Sequence, residues 1–209
     1  MTIPQELKEA ISNLSSKDKD KLIFRLLKKD LKLANQLLFE FVSTETVETR
    51  RGKVKKYLDA LIERATVHFY STGYLNMDVR DMSGVINEHV SVTKDKYGEA
   101  SLNLWMITEV IEKNQKNILS ESLARSEKFC VAVIARVFKI MLLINKLHED
   151  YRIDFEDELV KLGNLIGDNP YLMKRAIQNG LDVNWLIRTE IPENIEQIHK
   201  DLRARGYLK

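Results

Sequence analysis

Cysteine is almost absent from this chain of 209 residues, which contains a single example, Cys130. One cysteine cannot form an intramolecular disulfide, so packing alone must stabilise the fold. Cys130 lies within an apolar run, where a thiol behaves as a small buried hydrophobic group with a raised pKa. A fold without disulfides suits a reducing compartment, and the expected location is cytoplasmic.

Glycine and proline are also scarce, with eight and three residues. Their combined share is well below the usual value of about 12%. Few turn-forming residues predict long elements, and no Pro- or Ser-rich linker marks a domain boundary. The expected organisation is therefore a single helical domain over residues 1–209, with a hydrophobic fraction of 44% that can supply a substantial core.

Membrane and targeting signals are missing as well. The opening MTIPQELKEA has no basic region followed by an apolar stretch, so neither a signal peptide nor a lipidation motif is expected. The most apolar run, FCVAVIARVFKIMLLI, contains Arg136 and Lys139. It is also shorter than the about 20 apolar residues that a spanning helix needs. The sequence therefore predicts no membrane association.

Nearly every segment has the 3.6-residue periodicity of amphipathic helices, and no segment has the alternation of a strand. The predicted fold is all-α, with about ten helices arranged as stacked antiparallel pairs. A HEAT-like irregular solenoid and a compact helical bundle both fit this pattern. The predicted centre is a long helix over residues 120–148, because its charges other than Glu127 occupy a sector only about 80° wide and most of the rest of its surface is apolar.

Two basic segments are candidates for binding an anion, although the net charge of +2 makes no such argument for the whole chain. The α4 cluster is RRGKVKK, residues 50–56 of the fourth predicted helix (α4, residues 44–73). The α7 ridge is the charged edge of the seventh predicted helix (α7), which is the central helix over residues 120–148. Stacked basic side chains on a rigid helix can contact a nucleic-acid backbone. The candidate residues are Arg50, Arg51, Lys53, Lys55 and Lys56 in the α4 cluster, and Arg125, Lys128, Arg136, Lys139 and Lys146 in the α7 ridge.

Both basic segments also have an ordinary structural interpretation. The α7 ridge can be a solvated helix edge, or it can pair with the acidic DFEDE at residues 154–158. The α4 cluster can be a solvated helix start, where Glu45 and Glu48 offset the unfavourable positive charge. Convergence of the two segments on one face would favour nucleic-acid binding.

Catalytic and metal-binding motifs are not found. The chain has no GxSxG, P-loop or GxGxxG sequence, and Glu196-x-x-His199 has no second pair of the kind that di-iron bundles require. No metal or cofactor is expected, and a catalytic site built from scattered residues stays open. The leading hypothesis is a non-enzymatic helical adaptor that binds a protein partner. The alternative is a nucleic-acid-binding helical protein that uses residues 50–56 and 125–146.

Overall fold

The computed structural model describes residues 3–209. These residues form eleven α-helices and one 3-10 helix, with no strand among them, so the all-α prediction is confirmed. The 3-10 helix is Glu149–Phe155. The α-helices are α1 (Gln5–Ser12), α2 (Ser16–Leu27), α3 (Leu31–Phe41), α4 (Val47–Val67), α5 (Thr72–Thr93), α6 (Lys96–Ser120), α7 (Leu123–Asn145), α8 (Glu156–Asp168), α9 (Pro170–Gln178), α10 (Asn184–Ile187) and α11 (Ile195–Ala204).

The chain divides into two compact units. The smaller unit comprises the residues up to Glu45 together with Ser91–Thr93, and the larger unit comprises Thr46–Val90 and Lys94–Lys209. The smaller unit contains α1, α2 and α3, and none of the residues in these three helices is buried. That the whole chain acts as one domain stays a prediction.

The core of the larger unit is built around α6 and α7. The α6 helix packs against α4, α7 and α8, and α7 packs also against α9 and α11. Apolar residues at helical spacing on both helices are completely buried, for example Ile107 and Val110 on α6 and Phe138 and Met141 on α7. Burying such side chains supplies most of the driving force for folding.

Local capping residues set the bounds of the two central helices. The side chain of Ser122 accepts a hydrogen bond from the Arg125 N–H, so α7 begins later than the predicted residue 120. The α6 helix begins at Lys96, because the Asp95 carboxylate caps it by accepting a hydrogen bond from the Gly98 N–H. No helix in residues 3–209 is long and apolar enough to cross a membrane.

Candidate anion-binding groove and a second polar pocket

One edge of α7 lines a groove of about 550 Å³ in the larger unit. The apolar part of its lining comes from Val131, Ala132, Ala135 and Leu208, and Asn76 contributes a neutral polar group. No acidic residue lines the groove within the described part of the chain. The remaining lining residues are all basic, namely Lys128, Arg136, Lys139, Arg203 and Lys209.

Arg136 lies half-buried in this groove and is held by a neutral group. Its guanidinium donates a hydrogen bond to the Ser83 hydroxyl, and no carboxylate of residues 3–209 lies within ion-pair distance of it. Burial lowers the pKa of Arg136. A partly desolvated cation without an acidic partner costs free energy, so such a group is a candidate for binding an anionic ligand.

The other ridge residues keep most of their charge accessible. Lys139 lies 3.4 Å from Glu99 on α6 and is 41% exposed, so this pair is open to solvent. Arg125, Lys128 and Lys146 are exposed. The predicted alternative that the ridge pairs with residues 154–158 is wrong, because no ridge cation lies within ion-pair distance of that acidic segment in the described structure.

Two cations of the groove were not foreseen from the sequence. Arg203 lies on α11, which packs against α7, and Lys209 follows the buried Leu208. The Leu208 N–H donates to the Asn179 side chain at 2.9 Å, which fixes the C-terminal segment beside α7. No spacing rule relates residues so distant in the chain, so only the three-dimensional structure joins them to the ridge.

The α4 cluster behaves differently, because its Arg51 forms a structural ion pair. The Arg51 guanidinium donates to both carboxylate oxygens of Asp95, at 2.7 and 2.9 Å, and lies 4.9 Å from the Tyr97 ring centroid. His89, which is buried, lies 3.1 Å from the same carboxylate. Burial alone would raise the pKa of Asp95, but its hydrogen bonds with His89, Arg51 and the Gly98 N–H hold that pKa well below its ordinary value.

Gly98 permits the close approach on which this ion pair depends. A Cβ atom at position 98 would overlap the Asp95 carboxylate and would lie 2.8 Å from the Arg51 Nε. Any other residue would therefore push the two charged groups out of place. The first turn of α6 is built to hold Arg51, which leaves this arginine unsuited to binding an external phosphate.

The remaining residues of the α4 cluster do not form a common cationic surface. The Lys55 Nζ lies 4.9 Å from the Trp105 ring centroid. Lys53 and Lys56 are exposed, and Arg50 is half-buried. Of the predicted cluster residues, Arg51 and Lys55 line a second pocket, which has a volume of about 380 Å³.

Carboxylates surround the basic groups in this second pocket. Its acidic lining residues are Glu48, Asp154 and Glu158, and its aromatic lining residues are Tyr97, Trp105 and Phe155. The acidic segment at residues 154–158, which was considered as a partner of the α7 ridge, thus contributes two of its carboxylates here. The two basic segments line separate cavities that share no lining residue.

Residues considered for metal binding have other contacts. The His199 ring packs 5.9 Å from the Phe138 ring, and the Glu196 carboxylate lies 3.1 Å from the Lys200 Nζ. Burial lowers the pKa of His199, with Arg203 adding to the effect. Within residues 3–209 no group of three or more His, Cys, Asp or Glu side chains is placed to hold a metal ion. Cys130 is buried, and burial raises its pKa to about 12.

Comparison of the chain with protein-family models, with curated proteins and with solved structures gives no match. Functional inference for this protein therefore depends on the geometry and charge of its own cavities.

Proposed function

We propose that this protein binds nucleic acid through the α7 ridge and its groove. The observation that carries the proposal is Arg136, a half-buried guanidinium without a carboxylate partner among the described residues, in a groove whose charged lining residues are all basic. A phosphate would supply the charge-assisted hydrogen bonds that Ser83 cannot, and such bonds are among the strongest in proteins.

The length of the ridge supports a linear polyanion rather than a single phosphate. At about 1.5 Å per residue, the helix from Arg125 to Lys146 extends over about 30 Å. Phosphates of one DNA strand follow each other at about 3.4 Å along the axis of a duplex. A ridge of this length can therefore contact several successive phosphates, and the small side chains Ala132 and Ala135 leave room for the chain to approach the helix.

The proposal differs from the sequence-based hypothesis because it omits residues 50–56. Arg51 is bonded to Asp95, and three carboxylates lie around Lys55 in the second pocket. Like charges close to a bound phosphate would oppose binding there. The basic groups that we assign to binding are those of the ridge, together with Arg203 and Lys209.

Fluorescence anisotropy with labelled single-stranded DNA, duplex DNA and RNA tests this function. We expect binding at low salt that weakens steeply as salt rises, because displaced counterions drive the association. The double variant K128Q/R203Q removes two exposed groove cations. It should lower the slope of log K against log salt by about 1.4 on single strands, at about 0.7 per phosphate contact.

The matched control is K116Q/R188Q, which removes one lysine and one arginine at exposed positions outside the groove. This variant has the same net charge as K128Q/R203Q and should retain the wild-type slope. No binding at low salt, or equal loss in the two variants, would overturn the proposal.

Binding of a protein partner through the smaller unit is a second candidate function. Large apolar side chains on its helices are exposed to an unusual degree, including Phe24 at 63%, Leu31 at 71% and Phe41 at 74%. Contiguous exposed apolar residues mark interaction surfaces in many proteins. This observation favours the adaptor hypothesis and is independent of the α7 groove.

A photo-crosslinking amino acid placed at Phe24 or Phe41 in living cells tests the adaptor function. We expect discrete protein adducts from both positions. The same amino acid at Lys17, an exposed position of the same unit, serves as the control and should give none of these adducts. The same adducts from all three positions would contradict a specific partner.

A further inference from the structure

We propose that the second pocket, between α4, α6 and the start of α8, binds a primary alkylammonium group. Aromatic rings of Tyr97, Trp105 and Phe155 and carboxylates of Glu48, Asp154 and Glu158 line this pocket. Aromatic faces attract cations through their quadrupole, and nearby carboxylates add to that attraction. This inference concerns a different cavity from the α7 groove and is independent of nucleic-acid binding.

Lys55 already shows the chemistry that the pocket favours. Its Nζ lies 4.9 Å from the centroid of the Trp105 ring, which is the geometry of a cation–π contact. Lys55 is an exposed residue on a long flexible stem, so a competing ammonium group can displace it. The resident side chain therefore marks the place that the ammonium of a ligand would occupy.

The net charge of the pocket also favours a cation. Its other basic residue, Arg51, is neutralised by the bidentate ion pair with Asp95, which lies outside the pocket lining. Burial raises the pKa of Tyr97, and the neighbouring Asp154 carboxylate adds to that rise. Among the described lining residues, Lys55 is then the only cation not paired with an acid, whereas three carboxylates line the pocket. The pocket therefore has a net negative charge, which an incoming ammonium would reduce.

Glu158 explains why the ligand should carry N–H donors. Its Oε1 atom is buried and has no hydrogen-bond partner among residues 3–209. A buried acceptor without a donor costs free energy, and a primary ammonium could supply the missing hydrogen bond once the Glu158 carboxylate rotates towards the pocket. A quaternary ammonium has no N–H group, so it should bind more weakly than a primary one.

Trp105 provides a direct fluorescence signal for this pocket. The chain has two tryptophans, and W185F leaves Trp105 as the only one while keeping an aromatic ring against Phe138. Titration of the W185F protein with n-butylammonium should change the Trp105 emission to a plateau. Tetramethylammonium should require a higher concentration for the same change, and circular dichroism would confirm that the W185F protein is folded.

Three substitutions in the W185F background test whether each side chain strengthens or weakens binding of n-butylammonium. K55Q removes the resident competitor and should tighten binding of n-butylammonium roughly two- to fivefold, the equivalent of one exposed cation–π contact. E158Q should weaken it by up to about fivefold. K174Q, at an exposed position outside the pocket, should leave it unchanged.

A lysine-containing peptide distinguishes the two sources of an alkylammonium group. Binding of the peptide tighter than that of n-butylammonium assigns the pocket to a protein side chain, and equal or weaker binding assigns it to a small amine. The proposal is overturned if n-butylammonium produces no saturable change with or without K55Q. It is also overturned if K55Q weakens binding of n-butylammonium, because Lys55 would then support the binding site instead of competing with the ammonium for it.

Discussion

The α4 cluster and the α7 ridge differ in the acidic residues that lie near their basic side chains. Residues 50–56 form the denser basic segment in the sequence, yet in the structure Arg51 is bonded to Asp95 and carboxylates surround Lys55. The ridge is sparser, but Arg136 has no acidic partner among the described residues and its groove has no acidic lining residue. A site for anions is therefore defined by the absence of opposing carboxylates more than by the number of neighbouring lysines and arginines.

Arg51 and Arg136 differ in the same way, because Arg51 has a carboxylate partner within the fold and Arg136 has only a hydroxyl. A bidentate arginine–carboxylate pair satisfies both charges, so removing one partner leaves the other buried and uncompensated. Arg136 has only the Ser83 hydroxyl, so its side chain contributes little to offset the cost of its own burial. The two arginines should respond to substitution in opposite ways.

The largest expected effect is the loss of stability in D95N. Asparagine still caps a helix, so D95N isolates the negative charge that holds Arg51. We expect the free energy of unfolding to fall by about 3 kcal/mol in a denaturant titration, as for other broken buried ion pairs. D95A should cost about 1 kcal/mol more, because it also removes the cap. A change below about 1 kcal/mol in D95N would show that the ion pair is not structural.

The pH dependence of stability follows from the lowered pKa of Asp95. Because the pKa in the folded protein is below the unfolded value of about 3.9, the carboxylate contributes its stability above that unfolded value. This contribution is lost as the pH falls further through the folded pKa. The free energies of unfolding of the wild-type protein and D95N should therefore become more similar as the pH falls. A difference between them that stays constant below pH about 3 would contradict a stabilising role of the Asp95 charge.

The next effect in size is a loss of binding in R136M without a loss of stability. Methionine fills a similar volume and removes the cost of burying the guanidinium, so the free energy of unfolding should stay within about 1 kcal/mol or rise. Nucleic-acid affinity should fall about tenfold, the equivalent of one charge-assisted hydrogen bond. Anisotropy and denaturant titrations on the same sample measure both. Destabilisation by several kcal/mol would assign Arg136 to the fold instead.

The smallest effect is a gain of affinity in E99Q. Glu99 competes with a bound phosphate for Lys139, so without this carboxylate we expect nucleic-acid affinity to rise about two- to threefold, as for one exposed ion pair. The matched control is E112Q, which removes an exposed carboxylate paired with Lys161 away from the groove. Anisotropy should show no gain in E112Q. An equal gain in both variants would indicate a general effect of net charge.

Much of the helical architecture could be predicted because its signals are local. Asp30 accepts from the Leu33 N–H at the start of α3, and Asn169 followed by Pro170 begins α9. Gly180 has a φ of +72° just after the end of α9, which is the conformation of a helix-ending glycine. Caps and terminating glycines act within one turn, so the sequence alone contains the information.

The groove could be predicted only in part, because its partners come from distant segments. The edge of α7 was visible in the helical periodicity, but nothing in the sequence places Arg203 beside Arg136. The ion pair of Arg51 could not be predicted for the same reason, since its partner Asp95 caps a different helix, α6. Helix periodicity indicates which side of a helix is polar, whereas the identity of the opposing residues is a property of the tertiary fold.

The most direct test compares two charge-matched lysine pairs in one salt titration. K128Q/K139Q removes two ridge cations, and K55Q/K56Q removes two cations of the α4 cluster. With labelled single-stranded nucleic acid, we expect K128Q/K139Q to lower the slope of log K against log salt by about 1.4 and K55Q/K56Q to leave that slope unchanged. A lower slope in K55Q/K56Q, or the same decrease in both variants, would contradict the assignment of binding to the α7 ridge.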